Sequence, residues 1–272
     1  MIYNLKTHPT KDNNTLVASE LKKMAEIIDT KFNVDTDNWW IETHTLHNAS
    51  ATVTATDYWQ YQITEMKFKL PSLPRGTTLP RADTLKNAEL FLHIHLKGYY
   101  YNANRCIAPL CKIQDREGNY IDKFDLVIKA KSRENNNDRA EYLVTWHLDK
   151  HIHEAGDGVG NYIHPEYHFT FGGHRMTNAT EYNFGDMLIL PTPRLPHPPM
   201  DIILGIDFIL HHFYSRAMRE RITLLDEYKK IVRNAQLRIW RPFALSFASH
   251  WQLNTNIDPN IAPKKLFPNL ID

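Results

Sequence analysis

Residues 141–176, EYLVTWHLDKHIHEAGDGVGNYIHPEYHFTFGGHRM, decide how the chain folds, because their opening run alternates with a period of two. Tyr142, Val144, Trp146 and Leu148 share one parity, and Thr145, His147, Asp149, His151 and His153 share the other. Apolar residues facing one way and polar residues the other describe a strand with a single buried face. YHFTFGG repeats the pattern with Tyr167, Phe169 and Phe171, and its glycines end the strand with backbone freedom. The same stretch holds six of the 15 histidines.

Upstream, the period of two continues. In ELFLHIHLKG, Leu90, Leu92, Ile94 and Leu96 oppose Phe91, His93, His95 and Lys97. In DYWQYQITEMKFKL, Trp59, Tyr61 and Ile63 lie on one parity, whereas Met66, Phe68 and Leu70 lie on the other, so a bulge near Thr64 and Glu65 is needed to keep both sets on one face. APLCKIQ and YIDKFDLVIKA flank DREGN, a hairpin turn, and DMLILP reads as a last short strand. At the N-terminus, Asn14 and Thr15 are candidate caps for a helix running to about Thr30, with Leu16, Leu21, Met24, Ala25, Ile27 and Ile28 at helical spacing. Downstream, LPTPRLPHPP is too rich in proline for a central strand and reads as an extended loop. PMDIILGIDFILHHFY follows as a helix apolar on most sides, with Asp201 near its start. Ser215 to Asn234 reads as a second helix with Ile222, Leu225, Tyr228, Ile231 and Val232 as its stripe, and the last thirty residues as helix or coil on the surface.

Strands followed by helices specify an α+β class. We expect one domain over residues 1–272: an N-terminal helix in 1–32, an antiparallel β-meander of five to seven strands in 50–191, and a proline-rich loop with C-terminal helices in 192–272. The helices pack on one sheet face, leaving the other to water or a partner. A leading helix, a meander, a proline-rich passage and then helices is an order that resembles the ubiquitin-conjugating and RWD-like arrangement. Nothing after Cys111 is cysteine, so the resemblance implies a non-catalytic, interaction-type relative.

With 272 residues, 42% of them apolar, the chain can fill a sizeable core, and a formal net charge of +1 gives no global field toward nucleic acid, membrane or acidic substrates. No run is long and apolar enough for a membrane span, and no leader precedes the first charges, so the expected location is cytoplasmic. Cys106 and Cys111 are too few for a disulfide framework and too far apart for a CxxC pair. GDGVGN and FGGH lack the context of a dinucleotide or phosphate loop, and no GxSxG or HExxH motif is present.

Three functional readings follow. The leading one is an interaction or assembly protein with a protein partner or a second copy of itself, motivated by the absence of a complete catalytic motif and by aromatics such as Trp39 and Trp40. A second is a divalent-metal hydrolase acting on a phosphoester: His151 and His153 sit two apart on a strand and His168 joins them from its neighbour, imidazoles that suit zinc, with Asp149 or Glu166 as general base or ring-orienting carboxylate. His164 and His174 fall at strand ends. A third is a nucleic-acid accessory protein using the basic helix through Arg219, Lys230 and Arg233. Separately, Asp207 and His211, four apart, form a structural or acid/base pair on one helix face.

Overall fold

The computed structural model describes residues 11–34, 39–52, 58–71, 88–99, 121–133, 141–150, 165, 167–172, 176, 194–251 and 269–271. The expected turn at DREGN, the strand at DMLILP and both cysteines lie outside them. The class is α+β with antiparallel pairing. The strands are β1 (Trp40–Ile41), β2 (Tyr58–Leu70), β3 (Ala88–Tyr99), β4 (Ile121–Arg133), β5 (Glu141–Lys150), β6 (Tyr167–Phe171) and β7 (Leu195–Pro196), each hydrogen-bonded to the next in chain order. The helices are α1 (Lys11–Ile27), ending in a π-turn over Ile28–Phe32, then α2 (His44–Thr52), α3 (Ile202–Phe213), α4 (Arg216–Thr223) and α5 (Asp226–Ser249).

The bulge appears where the parities of β2 conflict. The ladder with β3 pairs Ile63 with Ile94 and then Met66 with Leu92, skipping Thr64 and Glu65. Glu65 takes a positive φ of 55° to make the turn, and Ile63, Met66, Phe68 and Leu70 all reach the buried face as a result. Leu90, Leu92 and Ile94 of β3, Leu148 of β5 and Tyr167 of β6 extend that face. Ile203, Ile206, Ile209 and Leu210 of α3 belong to the same core, as do Ile28 and Phe32 of the π-turn. Burying each of these aliphatic side chains contributes roughly 1.5–3 kcal/mol.

The helices close over this core through a buried charge network. Arg238 of α5 donates from Nη1 to Glu20 Oε2 of α1 at 2.6 Å and from Nη2 to Asp201 Oδ2 at 3.4 Å. Asn234 donates to the other Glu20 oxygen at 2.7 Å, and Asp201 Oδ1 accepts from the Leu204 backbone N–H at 2.9 Å, capping α3. Burial pushes both carboxyls above their usual range, and Arg238 pulls them back.

Several sequence expectations are corrected. Helix α1 spans Lys11–Ile27, so Asn14 and Thr15 lie inside it rather than capping it. α2 occupies HTLHNASAT, which shows no strong helical period, and Leu46 and Ala49 bury its inner face. The proline-rich passage contains β7, which pairs with β6 at its outer edge, where a missing N–H costs no ladder bond. The helix expected from Ser215 to Asn234 is broken: Leu225 is extended, with φ −67° and ψ 133°, between α4 and α5. The stripe itself holds, since Ile222, Tyr228, Ile231 and Val232 are all buried. Trp39 is partly buried against the core and donates to the Phe32 carbonyl at 3.2 Å, while Trp40 is exposed.

Replacing Arg238 with Ala strands two buried carboxyls, and we expect urea denaturation to show a loss of about 3–5 kcal/mol. Glu65→Gly is expected to raise stability by about 1 kcal/mol in the same assay, because glycine adopts the left-handed conformation without a Cβ clash. Glu65→Ala is expected to give no such gain.

Candidate functional site

Over β5 and β6 much of the second face of the sheet is buried. Thr145, His147, His168 and Thr170 are at most 6% exposed, although they stand on the polar parity of β5 and β6. The face expected to be free for water or a partner is therefore covered over this part of the sheet. Alternation shows which residues share a face, but burial depends on what crosses it, and strand period does not encode that.

Register assembles the polar residues into rows. His95 of β3 pairs with Asp125 of β4, Asp125 with Asp149 of β5, and Asp149 with His168 of β6. The adjacent row runs from His93 through Val127 and His147 to Thr170. Directly opposed residues lie about 4.5–5.5 Å apart at Cβ, close enough for Asp149 and His168 to touch. His168 Nε2 is 3.2 Å from Asp149 Oδ1, and His147 Nε2 is 3.9 Å from Asp149 Oδ2. The other ring nitrogen of His168, Nδ1, is 3.0 Å from the Pro165 carbonyl oxygen. A carbonyl only accepts, so Nδ1 carries the hydrogen. Gly172, with φ 71°, bends the chain after β6 so that its carbonyl accepts from Thr145 Oγ1 at 3.3 Å.

Burial pushes the His168 imidazole down to about 4, with Arg194 acting in the same direction and the Pro165 hydrogen bond against it. His197, between β7 and α3, is also lowered, mainly by burial, despite its Nδ1 contact with the Pro198 carbonyl at 2.6 Å. Both rings stay neutral at pH 7.

Of the residues expected to form a metal site, Asp149 and His168 meet, whereas His151, His153 and Glu166 lie outside the described residues. Among the described residues, no group of three or more His, Cys, Asp and Glu side chains is arranged to hold a metal ion. His147, which shares the polar parity of β5 with Asp149, stands beside this pair, its Nε2 3.9 Å from Asp149 Oδ2.

A second region lies between the C-terminal helices. Asp207, His211, Arg219, Leu224, Tyr228 and Arg233 line an open cleft of about 380 Å³ between α3, α4 and α5. Asp207 and His211 meet as their spacing predicts, with Nδ1 3.3 Å from Asp207 Oδ1 and 2.8 Å from the Asp207 backbone oxygen. Tyr228, expected only as a stripe residue, donates its hydroxyl to Asp207 Oδ1 at 2.8 Å. Burial, together with the Asp207 carboxylate, pushes the Tyr228 phenol well above its usual range, so it remains a donor. Arg219 and Arg233 come together on this cleft; Lys230 is exposed and does not line it. Glu220, also at the cleft, is held by Arg216 Nε at 2.6 Å.

The chain matches no protein-family model, no curated protein and no solved structure. No helix among the described residues is long and apolar enough to cross a membrane.

The two neutral histidines give stability a pH dependence of definite sign. Their folded pKa values lie below the ordinary 6.5, so the unfolded chain takes up protons that the folded chain refuses. Their contribution is complete above 6.5 and is lost as the pH falls below it, for His168 down to about 4. Urea midpoints measured at intervals from neutrality down to that value should fall steadily, and His168→Asn combined with His197→Asn should flatten the decline.

Proposed function

We propose that the protein is an interaction subunit of a larger assembly, gripping an acidic segment of a partner protein through the α3–α4–α5 cleft. The observation that supports this reading is Leu224, 59% exposed on a cleft whose cations are Arg219, Lys229 and Arg233. A large exposed leucine gains from being covered, and the three cations outnumber the cleft's carboxylates, Asp207 and Glu220, which favours an anionic cover. Together they suit a short acidic segment carrying one apolar anchor, as in helix-in-groove and acidic-motif recognition.

A nucleic-acid reading would use the same two arginines. Leu224 favours a protein partner over it, because an exposed leucine adds nothing to phosphate contacts, and Lys230 stands off the cleft. The net charge of +1 likewise supplies no general attraction to a polyanion.

Fluorescence anisotropy separates the two. The probes are a glutamate-rich peptide with one central leucine, the same peptide with serine in its place, and a single-stranded oligonucleotide of similar length. We expect the leucine peptide to bind about tenfold or more tightly than the serine peptide, a difference of about 1.4 kcal/mol. Leu224→Ser and Arg219→Glu should each remove most of that binding without lowering the melting temperature. Tighter binding of the oligonucleotide, indifferent to Leu224→Ser, would transfer the cleft to nucleic acid. A monomer that binds none of the three would refute the proposal.

A further inference from the structure

We infer that the anionic group gripped by the α3–α4–α5 cleft is a phosphorylated serine or threonine of the partner segment, its phosphate bound by Arg219, Thr223 and Gln236 beside Leu224. This inference rests on the cleft reading proposed above and names the chemistry of its ligand.

The carboxylates of the cleft are already engaged, and donors are left over. Glu220 accepts from Arg216 Nε at 2.6 Å, and Asp207 Oδ1 accepts from the Tyr228 hydroxyl at 2.8 Å with His211 Nδ1 at 3.3 Å. Arg219, half-buried on the lining, makes no ion pair or side-chain hydrogen bond with a described residue. The Thr223 hydroxyl and the Gln236 amide, half-buried on the same lining, likewise have no partner among the described residues. A guanidinium that has lost part of its hydration without gaining a carboxylate recovers most from an anion that meets its fork.

Donor number and charge then separate phosphate from carboxylate. Arg219 alone carries five N–H donors in one plane, and Thr223 and Gln236 add an O–H and an NH₂. A carboxylate offers two oxygens, whereas a phosphomonoester offers three and a charge of about −1.5 to −2 at pH 7. Arg216, Arg219, Lys229 and Arg233 outnumber Asp207 and Glu220 by two. Lys229 also meets Asp226 at 3.6 Å, but both side chains are exposed and such a contact is weak. A dianion therefore matches the excess that a single carboxylate would half fill. His211 adds a distinction of its own. Its Nδ1 lies 2.8 Å from the Asp207 backbone oxygen, which only accepts, so Nδ1 carries hydrogen and Nε2 is the nitrogen left for a ligand. A phosphate with its second pKa near about 6 keeps a proton part of the time and can donate it to that lone pair. A carboxylate has none to give. Leu224, 59% exposed beside these groups, commits the phosphate to a peptide, because it offers contact to a neighbouring apolar side chain that a small phosphate ester lacks.

Fluorescence anisotropy on the full chain compares the glutamate-rich peptide with a central leucine and the same peptide carrying phosphoserine in place of the glutamate next to that leucine. Free O-phosphoserine serves as competitor. We expect the phosphopeptide to bind about tenfold or more tightly than the glutamate peptide. Arg219→Lys keeps the charge and loses the fork, and Thr223→Val keeps the shape and loses the hydroxyl; each should cut that preference to about threefold or less at an unchanged melting temperature. Either variant decides if the other does not fold. Equal binding of the two peptides would overturn the inference and leave the acidic-segment reading standing, whereas binding of neither would sink both. A tenfold preference that survives both substitutions would overturn it too, since the phosphate would then lie elsewhere. So would O-phosphoserine that displaces the probe as effectively as unlabelled phosphopeptide, which would assign the cleft to small phosphate esters.

Discussion

The arrangement depends first on Arg238. The residue is 6% exposed, and its guanidinium meets two carboxylates from distant parts of the chain, Glu20 on α1 and Asp201 at the start of α3. None of the three could be buried alone, since an isolated charge in the interior costs several kcal/mol. Each therefore enters the core only when the other two do, which fixes α1, α3 and α5 relative to one another. The net stability gained over an apolar triad is small by this argument; what the network supplies is a unique placement. Pro242 follows four residues after Arg238 in the same helix and lacks the N–H that would bond the Arg238 carbonyl, yet α5 continues to Ser249.

Once α3 is fixed, both candidate regions have positions. One side of α3 carries Ile203, Ile206 and Leu210 in the apolar core, and Asp207 turns to Tyr228 of α5 to begin the cleft. On the sheet, neighbouring residues of β6 divide between environments: Tyr167 is in the apolar core and His168 in the polar layer, both almost fully buried. A register slip of one residue would exchange them, placing an imidazole among aliphatic side chains and a tyrosine ring against Asp149. The double burial of β6 thus specifies its register more strongly than an open face could, and the Asp149–His168 contact inherits that precision.

What was legible in the sequence was local. The Glu65 bulge could be foreseen because two apolar triplets of opposite parity cannot share one face of a regular strand. Asp207 and His211 could be paired because four residues on a helix bring side chains together. The same reasoning placed Asp149 and His168 on neighbouring strands. Long-range relations were not legible: the Tyr228 hydroxyl on Asp207, the Arg238 network and the covering of Thr145 and His147 depend on packing that no short period records. The break at Leu224 and Leu225 carries no glycine or proline, and both leucines fit a helical stripe. Tertiary packing turned Leu224 outward, and that one departure gives the cleft its apolar mouth.

The two regions are also contiguous. Phe208, next to Asp207, stacks on Phe169 with ring centroids 5.6 Å apart and on His212 at 4.0 Å, and Phe169 is the chain neighbour of His168. Contiguity by itself transmits position, not signal, because coupling needs an element with two arrangements that both sites bias. The stacked rings fill close-packed space between α3 and β6, and such packing resists continuous deformation. Their physical role is then to hold α3 at a set height over β6, so that the helix bearing Asp207 and the strand bearing His168 are aligned by the same aromatic contact.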